Sequence, residues 1–261
     1  MRKLGYLAVE GPHDVEFAYR LLSVLGLKRL RYKNEVDPAL ARLIPSEYPP
    51  KKGDLQMRMP IPLFLQSHTH AIAVQSAVGD TRLALKIEEA VEVIALDGAA
   101  FTSVGILLDS DSTIPVEKRY AELRQNLSGR GMLFPERAGC VSTDTPILGA
   151  FILPDNASSG TLEDLLLDSA GLVYPSLLEL ATHYVDTARI SADLIADDLT
   201  EISKPAGRKN AIIGAMANIL RPSKAVQTSI QDNRWLRDPT LALPRIAAAQ
   251  GFLKTLFELA A

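Results

Sequence analysis

The sequence predicts an α/β protein: a parallel sheet with helices on both faces, continued by a helical C-terminal extension. Three observations carry that expectation. Two short apolar runs, residues 4–9 and 101–108, stop abruptly at acidic residues, as buried strands do at the edge of a sheet. Each is followed by apolar residues at helical spacing, and strands joined through helices pair in parallel. From about Tyr174 the strand pattern stops and helical periodicity remains.

The elements follow in order. Residues 4–9 end in Glu10-Gly11-Pro12, a strand stopping at a turn. Asp14 stands as an N-cap or first-turn acid, and Val15, Phe17, Ala18, Leu21, Leu22 and Leu25 follow at helical spacing until Gly26. Prolines 38, 45, 49, 50, 60 and 62 make residues 30–68 a Pro-rich insertion, with short strands expected at 56–59 and 63–66. Residues 70–77 alternate as a strand, and 81–96 form an amphipathic helix. The run 101–108 is the clearest buried strand and closes on Asp109-Ser110-Asp111. A helix opens near Pro115 and reaches about Leu127, and residues 149–153 make a further strand. Thr161 resembles an N-cap for a helix at 162–169. Helices at 176–187, 208–220 and 244–259 complete the chain. The expected division is an α/β domain over residues 1–170 and a helical extension, 171–261, packed on it.

Composition narrows the function. Of 261 residues, 47% are hydrophobic and 23% charged, a globular balance with ample length for a core. The one cysteine, Cys140, excludes a disulfide framework and reads as a small buried hydrophobe. His13, His68, His70 and His183 are scattered rather than grouped as zinc ligands. A secretory signal needs about 7–15 apolar residues and a spanning helix about 20, whereas the N-terminal apolar run is only Tyr6 to Val9 before Glu10, and neither is expected. A cytoplasmic protein without membrane contact is the expectation.

The net charge of −3 conceals an asymmetry. Residues 202–231 contain no acid but carry Lys204, Arg208, Lys209, Arg221 and Lys224, directly after an acidic stretch at 186–201. Lys28, Arg29, Arg31 and Lys33 form a second basic cluster. Such runs are commonly solvated faces, but they also suit a local groove for a nucleic-acid backbone.

Acidic residues stand where a parallel sheet places its chemistry, at or beyond the carboxyl ends of strands. Glu10 follows the first strand, Asp109 and Asp111 follow the most apolar one, and Glu163 opens a later helix. Two carboxylates 4 Å apart repel by roughly 4 kcal/mol at an effective dielectric of 20. A divalent cation is the usual compensation, and oxygen ligands without thiolate favour Mg²⁺ or Mn²⁺. Singly, each acid also reads as an ordinary turn or helix-start residue.

The segments Leu7-Ala8-Val9-Glu10-Gly11-Pro12-His13-Asp14 and Gly105-Ile106-Leu107-Leu108-Asp109-Ser110-Asp111 resemble the Toprim domain of topoisomerases, bacterial primases, recombination-repair proteins and OLD-family nucleases. Gly160-Thr161-Leu162-Glu163-Asp164 resembles the later acidic motif of OLD-type and stand-alone Toprim-like bacterial proteins. The resemblance covers roughly residues 1–170 and implies a Rossmann-like sheet. It implies that Glu10 is a metal ligand or general acid/base and that Asp109 and Asp111 hold Mg²⁺. Asp14 and Glu163 would complete one or two metal positions. Lys209 or Lys204, by position alone, would stabilise a scissile phosphate. The chain departs from topoisomerases in lacking a DNA-gate domain, and from primases in lacking a zinc domain. It departs from full OLD proteins in lacking the Gly-x-x-x-x-Gly-Lys-Ser/Thr loop of an ATPase.

The resemblance therefore implies a Mg²⁺-dependent phosphodiester-processing protein, a nuclease whose basic 202–231 segment guides nucleic acid. One alternative is a non-catalytic module that binds metal and nucleic acid beside a partner, such as a separately encoded ATPase. Another is a phosphatase of the haloacid dehalogenase type, since Asp109-Ser110-Asp111-Ser112-Thr113 fits Asp-x-Asp-x-Thr with Asp109 as nucleophile. Against the latter, a strand and helix precede the motif, and Asp197-Asp198 come before Lys204 and Lys209. Among smaller features, His68-Thr69-His70 reads as a loop-to-strand edge and His13 as an exposed turn residue. Trp235, between Arg234 and Arg237, reads as packing against the C-terminal helices.

Overall fold

Strand β1 (Lys3–Val9) is buried from Leu4 onward and lies between two parallel neighbours, β4 (His70–Ser76) and β5 (Ser103–Asp109). The computed structural model describes residues 2–46, 61–79, 82–110 and 114–260. The strand expected at 56–59 and the acid Asp111 lie outside those residues. The sheet has six strands in the order β2-β3-β4-β1-β5-β6, with β2 at Lys28–Arg29, β3 at Leu63–Gln66 and β6 at Ile147–Leu153.

Connection length decides strand direction. Helices α2 (Leu83–Ala95) and α3 (Val116–Ser128) carry the chain from β4 to β5 and from β5 to β6. Backbone bonds from Ile147 to Thr102 (2.9 Å) and from Ser110 to Leu153 (3.2 Å) show that β6 runs parallel to β5. The link from β3 to β4 is only Ser67-His68-Thr69, too short for a crossover, so this pair is antiparallel, as is β2 with β3. The expected α/β sheet is present with an antiparallel margin. The strand expected at 63–66 is β3, within the Pro-rich stretch.

Helix α1 (Pro12–Val24) begins on an extended Gly11 with proline at its first position. Asp14 closes that start, its carboxylate accepting the Gly11 N–H at 2.7 Å.

The chain divides into two compact units. The first comprises residues up to Leu108, Glu117–Ile152 and residues from Gln250 onward; the second comprises Asp109–Val116 and Leu153–Ala249.

In the first unit, adjacent residues of β1 point to opposite faces of the sheet. The Tyr6 hydroxyl donates to Gln75 (2.8 Å) and lies 3.4 Å from the Lys86 carbonyl of α2. On the other face Gly5 leaves room for the C-terminal chain, because a Cβ there would stand 2.7 Å from Phe257. Gly105 does the same for Leu256, at 2.3 Å, and Gly149 for Phe252, at 3.1 Å. Three strand glycines thus form a shallow bed for the last turns of α8 (Pro244–Leu256) and for Phe257, with Phe252, Leu256 and Phe257 buried. Gln250 ties α8 to α1 through the Leu21 carbonyl at 3.3 Å.

The segment His68-Thr69-His70 is the loop-to-strand edge expected: His68 is exposed in the link, whereas His70 is buried at the start of β4. His70 Nδ1 lies 2.8 Å from Thr69 Oγ1, and burial, then the Lys3 charge, hold the imidazole below its ordinary pKa. Cys140 is exposed, correcting the expected burial, because it lies in the loop before β6 rather than in an element.

The second unit is helical: α4 (Leu162–Val173), α5 (Pro175–Ala188), α6 (Gly207–Leu220) and α7 (Val226–Asp232). Pro175 has no N–H to continue α4 and instead opens α5. Residues 189–206 form turns and are largely exposed. Trp235 is fully buried, donates to Ser229 Oγ at 2.9 Å and packs edge-on against Tyr174, as the packing reading expected. Among the described residues, no helix is long and apolar enough to cross a membrane.

Two expectations follow. Gly105→Ala should destabilise by about 1–3 kcal/mol through overpacking. Leu256→Ala should cost about 2–5 kcal/mol, and in the double variant the losses should sum to less than the two singles, as denaturant titration would show. Because folded His70 binds its proton less readily than the unfolded chain, its contribution is present above about pH 6.5 and lost as pH falls below it. Thermal unfolding of His70→Gln should therefore fall less than wild type between about pH 7 and pH 5.

Candidate functional site

The acids after β1 and β5 leave the same edge of the sheet, since the two strands are parallel with Val9 opposite Leu107. In the first unit, Glu10 sits directly after β1, half-buried. Its carbonyl is held by Ser76 Oγ (3.2 Å) and by the Gly79 N–H (3.2 Å), where Val78 and Gly79 adopt positive φ. Asp14 is buried and spends one oxygen on the Gly11 N–H, a helix-closing role that the motif resemblance does not include.

In the second unit the site is built around the start of α4. Asp109 accepts the Leu162 N–H at 2.9 Å, so the first helical amide of α4 holds its carboxylate. Ser110 is fully buried and clamps this junction. Its N–H reaches the Leu153 and Gly160 carbonyls, each at 3.2 Å. Its hydroxyl donates to the Gly160 carbonyl at 3.0 Å and accepts the Gly160 N–H at 2.7 Å. Gly160 must lack a side chain, since a Cβ would lie 2.7 Å from Asp164 and 3.1 Å from Pro154.

Helix α4 opens as α1 does. Its N-cap, Thr161, donates its N–H to Asp164 at 2.9 Å, the counterpart of Gly11 and Asp14. Glu163 lies in the same turn, 9% exposed, and among the described residues no hydrogen bond or ion pair engages its carboxylate. Lys209 from α6 bonds both oxygens of Asp164, at 2.6 and 2.8 Å. The structure thus gathers Asp109, Glu163, Asp164 and Lys209 around one helix start.

The loop into α4 is held by Asp155. It accepts the Ser158 N–H (2.6 Å), the Ala157 N–H (3.1 Å) and Arg245 Nε (3.1 Å). Burial pushes its carboxyl up, but those amides and the guanidinium outweigh it and leave it below the ordinary carboxylate range.

The other basic residues singled out in the sequence are distributed differently. Lys204 pairs with Glu201 (2.6 Å), Arg208 with Asp186 (2.7 Å) and Arg221 with Asp232 (3.5 Å). The acid-free stretch is neutralised by acids from elsewhere in the second unit, and Lys224 alone of the five has no ion pair among the described residues. No group of three or more His, Cys, Asp or Glu side chains arranged to hold a metal stands among the described residues, from which Asp111 is missing.

Sequence reasoning overlooked the role of Ser110, and read Asp164 only as part of a helix start. The signals were present: a serine between two motif acids, and an acid three residues after a threonine N-cap. Ser110→Ala should leave the Gly160 N–H buried without its acceptor and destabilise by about 1–3 kcal/mol, measurable by denaturant titration.

No curated protein matches the sequence significantly. A hypothetical protein from Pyrococcus horikoshii OT3, known from its crystal structure, is similar over 98% of this chain and 95% of its own. At 15% identity and a TM-score of 0.51, that likeness shows a shared fold alone. The family model described as "Protein of unknown function (DUF3226)" matches residues 5–258, which span both units, and the chain belongs to that family.

Proposed function

We propose that this protein is a Toprim-like, Mg²⁺- or Mn²⁺-dependent phosphodiester-processing protein, a nuclease acting on nucleic acid. One observation carries the reading: in the second unit Asp109 and Glu163 stand at the same helix start, where the Leu162 N–H donates to the Asp109 carboxylate. The donor chemistry supports it. The candidates are carboxylate oxygens, which suit a hard cation, and Glu163 holds a largely buried carboxylate without a donor among the described residues.

In this reading Asp109, Asp111 and Glu163 would hold the metal. The metal, when bound, would polarise the phosphate and activate a water. The protein's own contribution is positional. The α4 amide fixes Asp109, Ser110 fixes the loop that precedes Glu163, and Lys209 keeps Asp164 charged-paired beside it. Asp14 supports the strand-to-helix turn after Glu10.

The reverse reading, a metal- and nucleic-acid-binding module serving a partner such as an ATPase, is favoured by the pairing of Lys209 with Asp164, which occupies the candidate phosphate cation. Calorimetric titration with Mg²⁺ and Mn²⁺, followed by cleavage assays on plasmid, single-stranded DNA and RNA, separates the two. Wild type should bind metal and cut, and Asp109→Asn and Glu163→Gln should each reduce cutting at least about 100-fold at unchanged folding. Metal binding without cutting would overturn the nuclease and leave the module. Unchanged cutting by Asp109→Asn would overturn the site itself.

A further inference from the structure

The first unit carries a second basic cluster that the proposed metal site does not use. Lys28 and Arg29 form β2, the outermost strand of the sheet, and Arg31, Tyr32 and Lys33 follow in the adjoining turn. All five are exposed, Tyr32 to 57%. Unlike Lys204, Arg208, Lys209 and Arg221, Lys28, Arg31 and Lys33 form no ion pair among the described residues. Nearby acids are engaged: Glu16 pairs with Arg29 at 3.0 Å, and Glu35 accepts the backbone N–H groups of Arg31 (3.0 Å) and Tyr32 (2.8 Å).

That last pair of bonds matters for geometry. The Glu35 carboxylate closes the 3₁₀ turn Lys33–Glu35, so the backbone of Arg31 and Tyr32 is held in place. The Arg31 guanidinium lies over the Tyr32 ring, 5.4 Å from its centre. Beside them is a cleft of about 360 Å³ lined by Arg29, Arg31, Tyr32, Lys33 and the 61%-exposed Ile61.

Lysine and arginine on an outermost strand also prevent edge-to-edge pairing with another copy. That role accounts for Lys28 and Arg29. It does not account for Arg31 and Lys33, which lie beyond the strand, or for an exposed tyrosine between them.

We infer that this surface binds single-stranded nucleic acid, with Lys28, Arg31 and Lys33 against the phosphates and an unpaired base stacked on Tyr32. The charge pattern selects a polyanion, and the exposed ring selects a single strand, because a duplex hides the π-faces of its bases. The inference rests on the reading that the protein acts on nucleic acid, and it moves the docking surface away from the ion-paired residues of the 202–231 segment.

The test is fluorescence anisotropy with labelled oligonucleotides, single-stranded DNA, single-stranded RNA and duplex, in EDTA across a salt series. Wild type should bind a single strand more tightly than the duplex. Lys28→Gln/Arg31→Gln/Lys33→Gln should weaken binding at least about tenfold and reduce the salt slope by about 2, at roughly 0.7 per lost phosphate contact. Tyr32→Ala should weaken single-strand binding about 5- to 100-fold and leave duplex binding unchanged. All four side chains are exposed, so unfolding temperatures should match wild type. Absence of single-strand binding by wild type would overturn the inference. So would undiminished binding by the triple variant, or a loss found instead in Lys204→Gln/Lys224→Gln. Because EDTA removes any metal, these results are independent of cleavage: loss of the proposed reaction with this binding intact would refute the nuclease and leave the surface standing.

Discussion

The structure depends on the parallel pairing of β1 with strands on both sides. A central strand with parallel neighbours cannot be reached by tight turns, so the chain must travel over the sheet between strands, through α2 and α3. The same requirement buries β1 on both faces and makes its sequence continuously apolar from Tyr6 to Val9 once Gly5 is passed. It also sends the carboxyl ends of β1 and β5 to one edge. The polar residues that follow each strand emerge there, where the backbone can turn without burying charge.

Glycine governs how closely the layers approach. Gly5, Gly105 and Gly149 come from three strands, yet all make room for side chains near the C-terminus. The final turns of the chain are therefore part of the first unit's core rather than an appendage to it. Gly160 serves a different end, admitting the Asp164 carboxylate to the loop that Ser110 clamps.

Charge in this protein is mostly local and compensated. The acid-free run after Ile202 reads as a basic surface, but Asp164, Asp186, Glu201 and Asp232 pair with four of its five cations. Pairs such as Arg208 with Asp186 stitch α6 to α5, and Lys209 with Asp164 stitches it to α4. The smaller cluster at Lys28–Arg29 and the turn after it keeps its charge, since its acids are spent on Arg29 and on backbone amides.

The amino-acid sequence by itself determined the α/β class, the places of β1, β4, β5 and β6, and the helices that join them. Those features arise from periodicity, which is a property of neighbours along the chain. It also placed Glu10, Asp109 and Glu163 at element ends, because a charged residue terminates an apolar run. Tertiary structure decided what periodicity does not encode. The three-residue link at Ser67-His68-Thr69 turned β3 antiparallel. Side-chain pairing set most of the basic run against acids while leaving it largely exposed. Lys209 came onto Asp164, and Ser110 became the clamp beside Asp109. Each of these depends on atoms brought together across the fold or on the local path of the backbone, and a residue's chemistry is settled only when its partners are in reach.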